Sequence, residues 1–405
     1  MPCGAGRRLL SEHGASARRK VRRGIGRPIL WGENIMNASK VFFTDMHTTP
    51  DENLLQKLKR LMRATGFEAL PFKGGRFAAV KVHFGEPGNL AFLRPNYARV
   101  VCDYVVQLGG RPFVTDCNTL YVGGRRNALD HLDSAYANGY NPFATGVHTI
   151  IADGLRGLDE RLVPLEGCTY VKEAKIGSAI MDADVIISLS HFKGHELTGF
   201  GGALKNLGMG CGSRAGKMEM HSAGKPHVEQ EKCICCGRCV RICAHDAPHV
   251  TPGRGATIDH DRCVGCGRCI GACPVDAVAP DYDEAFDITN CKMAEYTKAV
   301  IQGRPHFHIS LVVDVSPFCD CHAENDIPIV PDVGLFASLD PVALDRACAD
   351  AVNRQPAVEG SLLAKNGHAH HDHFTDVSPD THWISALEHG EKIGIGTMNY
   401  ELIQI

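Results

Sequence analysis

Nowhere in the 405 residues does an apolar run approach the roughly 20 that a membrane-spanning helix needs, and no short apolar stretch follows the basic N-terminus to serve as a signal peptide. These two absences predict a cytoplasmic protein with no membrane partner. The chain also lacks the cysteine density of a disulfide scaffold. Its eighteen cysteines are dilute for this length, and most cluster at metal-ligand spacing, so thiolate ligands in a reducing compartment are expected. Two nucleotide signatures are missing as well. Counted back from Gly216-Lys217, a P-loop would need glycine where Cys211 stands and a hydroxyl where Met218 stands, and Gly199, Gly201 and Leu204 break the dinucleotide fingerprint.

With 44% hydrophobic residues the chain can bury a sizeable core. Net charge is -3 but uneven. Residues 1–35 hold eight Lys or Arg against Glu12 and Glu33, so the remainder is markedly acidic. Met36 immediately precedes the first strand-like run. Residues 1–35 therefore read as a basic extension upstream of the true start, and no nucleic-acid partner is expected.

From residue 36 the pattern alternates. Strand-like runs at VFFTD, FAAVKVHF, RPFVTDCN, HTIIADG and DADVIISLS alternate with helix-like segments. Glu52 to Thr65 puts Leu54, Leu55, Leu58, Leu61 and Met62 on one face, and Asn96 to Leu108 stops at Gly109 and Gly110. The alternation predicts an α/β fold around a largely parallel sheet. It resumes later with HISLVVDV and a helix from Pro341 to Val352, capped by Asp340. The expected order is an α/β domain over 36–227, an inserted α+β domain over 228–282, and the rest of the α/β domain over 283–405. Polar and glycine-rich segments follow the strands, at the carboxyl edge where open α/β sheets bind ligands.

Inside the insertion, CICCGRCVRIC at 233–243 and CVGCGRCIGAC at 263–273 repeat one C-x2-C-x2-C-x3-C spacing. Gly237 and Gly267 let the backbone turn tightly enough for three cysteines to grasp one cubane. The fourth lies too far along and reaches the other. Cys233, Cys236, Cys239 and Cys273 are thus assigned to one 4Fe-4S cluster, and Cys263, Cys266, Cys269 and Cys243 to its partner. A zinc site closes with four ligands and does not explain a repeated run. The residues resemble the bacterial two-cluster ferredoxin family, with Ala244 in place of a proline and Cys235 as an extra thiol. A cluster pair at this spacing favours electron transfer.

The segment from His191 to His221 is rich in glycine and carries Lys193, Lys205, Arg214 and Lys217. Glycines let backbone N–H groups approach a ligand and the cations favour an anionic guest, carboxylate or phosphate. His83, His191, His195 and His221 are candidate acid–base or metal groups. Cys319, Cys321 and His322, in CDCH at a strand end, suit zinc or another soft metal. HAHHDHF at 368–374 has a metal-tract composition but reads as a solvated turn.

KVHFGEPGN, PFVTDCNTLY, SHFKGHELTGFGGALKNLGMGCGSRAGK, both cysteine runs, CDCH and PDVGLFASLDPVALD together resemble the iron-sulfur centre proteins of the family called domain of unknown function 362. The resemblance covers about residues 38–405. It implies an α/β body with an inserted ferredoxin-like module, typical of anaerobes, and no established reaction. The expectation from these residues is an oxidoreductase linked to a ferredoxin-type electron donor or acceptor. Lys193, Lys205 and Lys217 would hold an anionic small-molecule substrate, and His191 or His195 would give it a proton. A non-catalytic carrier and a metal-handling protein are the alternatives.

Overall fold

The computed structural model describes residues 38–120, 123–221, 225–263, 265, 267–280 and 285–405. The expectations for residues 1–35 and for Cys266 fall outside them. The main sheet has eight strands: β1 Ser39–Asp45, β2 Phe77–Lys81, β3 Arg111–Asp116, β4 Thr149–Ile151, β5 Val185–His191, β6 His306–Val312, β7 Gly334–Ser338 and β8 Tyr400–Gln404, in the order β8-β1-β7-β6-β5-β2-β3-β4. Five of the seven pairings are parallel. Only β7 runs against its neighbours β1 and β6. The fold is α/β with a mostly parallel sheet.

Strand alternation divides the core between two faces. Val80, Ile187 and Leu189 pack with Leu58 and Leu61 of α1 (Leu54–Ala64) and Val101 and Val105 of α2 (Pro95–Gln107). Ala79 and Ile186 face the opposite layer, built from α3 (Ala203–Cys211), α4 (Arg214–His221), α7 (Phe286–Ile301) and α8 (Pro341–Asn353). All seven residues of β5 are buried, as a strand covered on both sides requires. Local chemistry sets the helix starts. Asn53 accepts from Leu55 N and Gln56 N while Gln56 Oε1 returns a bond to Asn53 N. Asp340 Oδ1 accepts from Val342 N and Ala343 N at 2.9 Å, with Pro341 in the first helical position.

The inserted segment forms two small antiparallel pairs, His227–Val228 with Val278–Ala279 and Pro248–Thr251 with Gly255–Ile258. Between them lie two one-turn helices, α5 (Arg238–Ile242) and α6 (Arg268–Ala272). The duplication is conformational as well as textual. Gly237 and Gly267 cap the helices at φ 67° and 66°, and Asp246 and Asp276 repeat at 50° and 54°. The extra thiol, Cys235, takes the left-handed position (φ 53°) that Gly265 holds in the other half at 69°. Ala244 in place of proline changes nothing upstream, since Cys243 and Cys273 close their helices at φ/ψ of -78°/125° and -72°/119°. The segment is not separate from the body: the described residues make one compact unit, and Leu120 and Met218 of the body complete the insertion's own apolar cluster. Among the described residues no helix is long and apolar enough to cross a membrane.

Candidate functional site

From β2 the chain steps outward to β3 and β4, then returns to place β5 on the other side of β2, so the carboxyl ends of β2 and β5 flank a switch point. A cavity of about 810 Å³ lies there. Lys81 comes from the end of β2, Asp116 from β3 and His191 from β5; Lys193 and His195 stand on the hairpin Lys193–His195/Gly199–Gly201. Lys205 and Asn206 come from α3, and Cys319, Cys321 and His322 from the turn after β6. Its volume suits a small organic ligand, for which pockets run from about 300 to 1,000 Å³.

The two thiols of the cavity are shifted in opposite directions. His322 N donates to Cys319 O at 3.0 Å, closing the turn that carries both sulfurs. Asp320, between them, is fully buried and fastened by His191 Nδ1 at 2.9 Å and Lys193 Nζ at 3.4 Å. Burial alone would raise the Cys319 thiol. The Cys321 S–H, the charges of Lys205 and Lys193 and a bond from His195 together overrule it and hold Cys319 well below the usual thiol range. Lys205 Nζ lies 3.2 Å from Cys319 Sγ. Cys321 is pushed well up, first because its S–H is donated to Cys319 and then by burial. Of the pair, Cys319 is the thiol pushed toward the thiolate and Cys321 the one pushed to keep its proton.

His195, Cys319 and Cys321 place one ligand atom each within 4.8 Å of the others. The imidazole that joins the thiols is thus His195, not His322 as chain proximity suggested. His322 turns away to donate Nε2–H to Glu196 at 2.7 Å. His195 Nδ1 accepts from Leu197 N at 3.0 Å and Thr198 N at 3.1 Å, so its ring proton sits on Nε2. His191 has no nitrogen to spare: Nε2 donates to Val313 O at 2.7 Å while Nδ1 meets Asp320. It positions Asp320 and is not an acid for the cavity. His83 and His221 are half-buried, and desolvation leads the causes that depress them, His221 to about 3.

The remaining charges pair internally. Lys81 lies 3.0 Å from Asp116 and donates to Asn206 Oδ1 at 2.8 Å; Arg125 Nε meets Glu86 at 2.7 Å. Of the cavity's five Lys and Arg side chains, Lys217 alone lies against no anionic group among the described residues, donating instead to Gly212 O at 2.6 Å. Lys81, Glu86, Asp116, Arg125 and Asn206 were not singled out in the sequence, although the segments after the strands that carry several of them were.

The glycine-rich segment is a hairpin and two helices rather than a loop, and its Gly201, Gly202 and Gly210 line the large cavity. A Cβ on Gly208 would stand 2.1 Å from Met293 O, one on Gly202 2.3 Å from Asp345 Oδ1, and one on Gly210 2.5 Å from Lys81 Nζ. These glycines let α3 lie flush on α7 and leave room for two charged groups. The α3 N-terminus is already occupied, with Ala203 N and Leu204 N donating to Asp345 at 2.6 and 2.9 Å.

The described cysteines of the insertion fall into two sets. Cys233, Cys236, Cys239 and Cys273, together with the extra thiol Cys235, line one small cavity of about 20 Å³, and Cys243, Cys263 and Cys269 line a second of about 20 Å³. Backbone N–H groups of Ala256, Ala277 and His245 point at Cys233, Cys273 and Cys243 Sγ at 3.3, 3.2 and 3.4 Å. The second set faces the body. A Cβ on Gly267, which lines that cavity, would stand 3.7 Å from Leu120 Cδ1, and Leu120 also lines the large cavity. The histidine tract at 368–374 is an exposed bend over 368–371, as a solvated turn expects, but its end turns inward: His373 and, just beyond the tract, Asp376 are buried.

A family model described as domain of unknown function (DUF362) matches residues 78–350. The thylakoid-associated protein sll1697 of Synechocystis sp. is 27% identical over 168 residues, covering 39% of this chain and 46% of that protein. The chain thus spans about half the length of this relative. Among solved structures, the lactate racemase apoprotein from Thermoanaerobacterium thermosaccharolyticum is 11% identical at a TM-score of 0.36, over 68% of this chain and 51% of that one. A protein from Thermotoga maritima is 14% identical at 0.32, over 64% and 50%.

Proposed function

The chain belongs to the family described as domain of unknown function (DUF362), whose description names no reaction, and from that premise we propose that it is an iron-sulfur oxidoreductase in which the inserted segment serves the large cavity. The observation that carries this reading is the crossed partition of sulfurs. Cys273 sides with Cys233, Cys236 and Cys239, and Cys243 sides with Cys263 and Cys269, as two 4Fe-4S clusters require of this spacing, with Cys266 completing the second set. N–H groups aimed at three of the sulfurs fit that use. Such clusters supply one-electron transfer.

The chain's own residues would give that transfer a direction. Cys236 is exposed and Ile234 is 59% exposed, so the first set fronts solvent. Arg156, Arg238 and Arg241 line a groove beside it and make no ion pair among the described residues. An acidic ferredoxin-type donor or acceptor suits that groove, being steered to a basic patch on an otherwise acidic body. Leu120 links the second set to the large cavity. There Lys217, which makes no ion pair among the described residues, would draw in an anionic small molecule while Lys193 and Lys205 steady its charge. His195 Nε2–H would donate to it as reduction builds negative charge.

A metal held by Cys319, Cys321 and His195 is the second reading, favoured by their convergence. It would require His195 to give up its Nε2 proton while Nδ1 faces two N–H donors, so the proton-donor role fits the geometry better. Iron, sulfide, zinc and nickel measured per chain on anaerobically purified protein test the proposal. About eight irons with matching sulfide are expected; an iron-free chain carrying only zinc would sink it.

A further inference from the structure

The histidine tract closes on a third set of donors, separate from both thiol groups. Asn366 Nδ2 donates to Asp376 O at 2.9 Å and ties the helix Leu362–Asn366 to the helix His373–Val377. His373 is 7% exposed and Asp376 4%. Nε2 of His373 lies 2.8 Å from the Gln355 carbonyl oxygen, which can only accept, so Nε2 carries the ring proton and Nδ1 holds a lone pair. That Nδ1 is buried with no hydrogen-bond partner. Asp376 Oδ1 accepts from the backbone N–H and the ring Nδ1 of His370, each at 2.9 Å, while Oδ2 is also buried without a partner. Each buried acceptor left unsatisfied carries a desolvation cost. A cation between them removes that cost.

One ligand atom each from His368, His373 and Asp376 lies within 4.8 Å of the others. From this convergence of two orphaned acceptors and a third donor, we infer that the three residues bind one divalent ion of the zinc class, with water at the exposed His368 side. Two imidazoles and a carboxylate suit zinc, whereas calcium and magnesium take oxygen ligands and soft ions take sulfur. The supporting bonds follow the usual outer pattern: a carbonyl fixes the tautomer of His373, and His370 orients the carboxylate. The ion has a structural use. Phe374, beside His373, packs on Phe192 and Phe200 at 5.9 and 5.4 Å, so fastening this turn braces the hairpin that carries Lys193 and His195.

The test uses full-length protein without a histidine tag, in the Cys319→Ser form so that the thiol pair binds no metal. Zinc bound per chain and Tm are followed as chelator-treated protein is titrated with zinc chloride. One zinc and a rise in Tm are expected. His370→Ala should weaken zinc binding by about 10- to 100-fold, and His368→Gln, at an exposed position that leaves the fold intact, should abolish the rise. Zinc uptake unchanged in His368→Gln and His373→Gln, or no response of Tm in the parent protein, would overturn the inference.

Discussion

The same element, sulfur, is handled in two ways in this molecule. In the insertion, cysteines arrive from short runs, several are half-exposed, and backbone N–H groups supply the local polarity. Beside the sheet, Cys319 is buried and its charge is held by Lys205, Lys193 and the Cys321 S–H. The first arrangement suits thiolates neutralised by a metal; the second neutralises its thiolate with the protein's own cations. One region is built to hold a group, the other to present a reactive atom.

The largest effect should come from breaking the first arrangement. Cys239→Ser or Cys273→Ser is expected to lose about half the iron and to destabilise the whole insertion, read by iron content and by proteolysis within 227–279. The insertion's apolar cluster has few buried members and borrows Leu120 and Met218 from the body, so it has little else to hold it. Leu120→Ala probes the seam between the regions: a stability loss of about 3 kcal/mol with iron retained, measured by denaturant unfolding. If iron is lost too, the two regions are not separable and the comparison fails.

The second arrangement can be sharpened without a substrate. Cys321→Ala or Lys205→Met removes support for the Cys319 thiolate, so the pH at which its alkylation by iodoacetamide is half-maximal should rise by about one unit. Iron should not change. A smaller effect is expected at His389, which belongs to neither thiol group. Its bonds to Cys291 and Glu295 raise its pKa to about 9. A histidine raised in the folded state contributes stability that is complete below its unfolded pKa, near 6.5, and disappears as pH climbs through about 9. His389→Gln should cost about 1 to 2 kcal/mol at pH 6 and flatten the fall in stability between pH 6.5 and 9, measured by thermal unfolding across that range.

Legibility followed the range over which each signal acts. The strands VFFTD, FAAVKVHF, RPFVTDCN and HISLVVDV and the helices expected from Glu52, Asn96 and Pro341 appear within two residues of where the pattern puts them, because those signals act within a few residues. The antiparallel β7 carries no local mark of its direction, which only its neighbours β1 and β6 reveal. The packing use of some glycines is hidden for a similar reason: Gly208 is small because Met293 O, far along the chain, approaches it. The candidate site divides the same way. His191, Lys193, His195, Lys205, Cys319 and Cys321 do meet at one cavity, but which imidazole joins the thiols depended on a hairpin fold that chain proximity could not rank. In the histidine tract the exposed turn was legible and the burial of His373 was not, because that depends on packing against Phe192 and Phe200 through Phe374.

The most direct test of the central claim is the low-temperature electron paramagnetic resonance spectrum of the anaerobically reduced full chain. Two mutually broadened signals from reduced four-iron clusters are predicted, simplifying to one uncoupled signal in Cys236→Ser or Cys269→Ser. A single narrow signal in the unmodified protein, or none from a chain that carries iron, would contradict the paired arrangement on which the account rests.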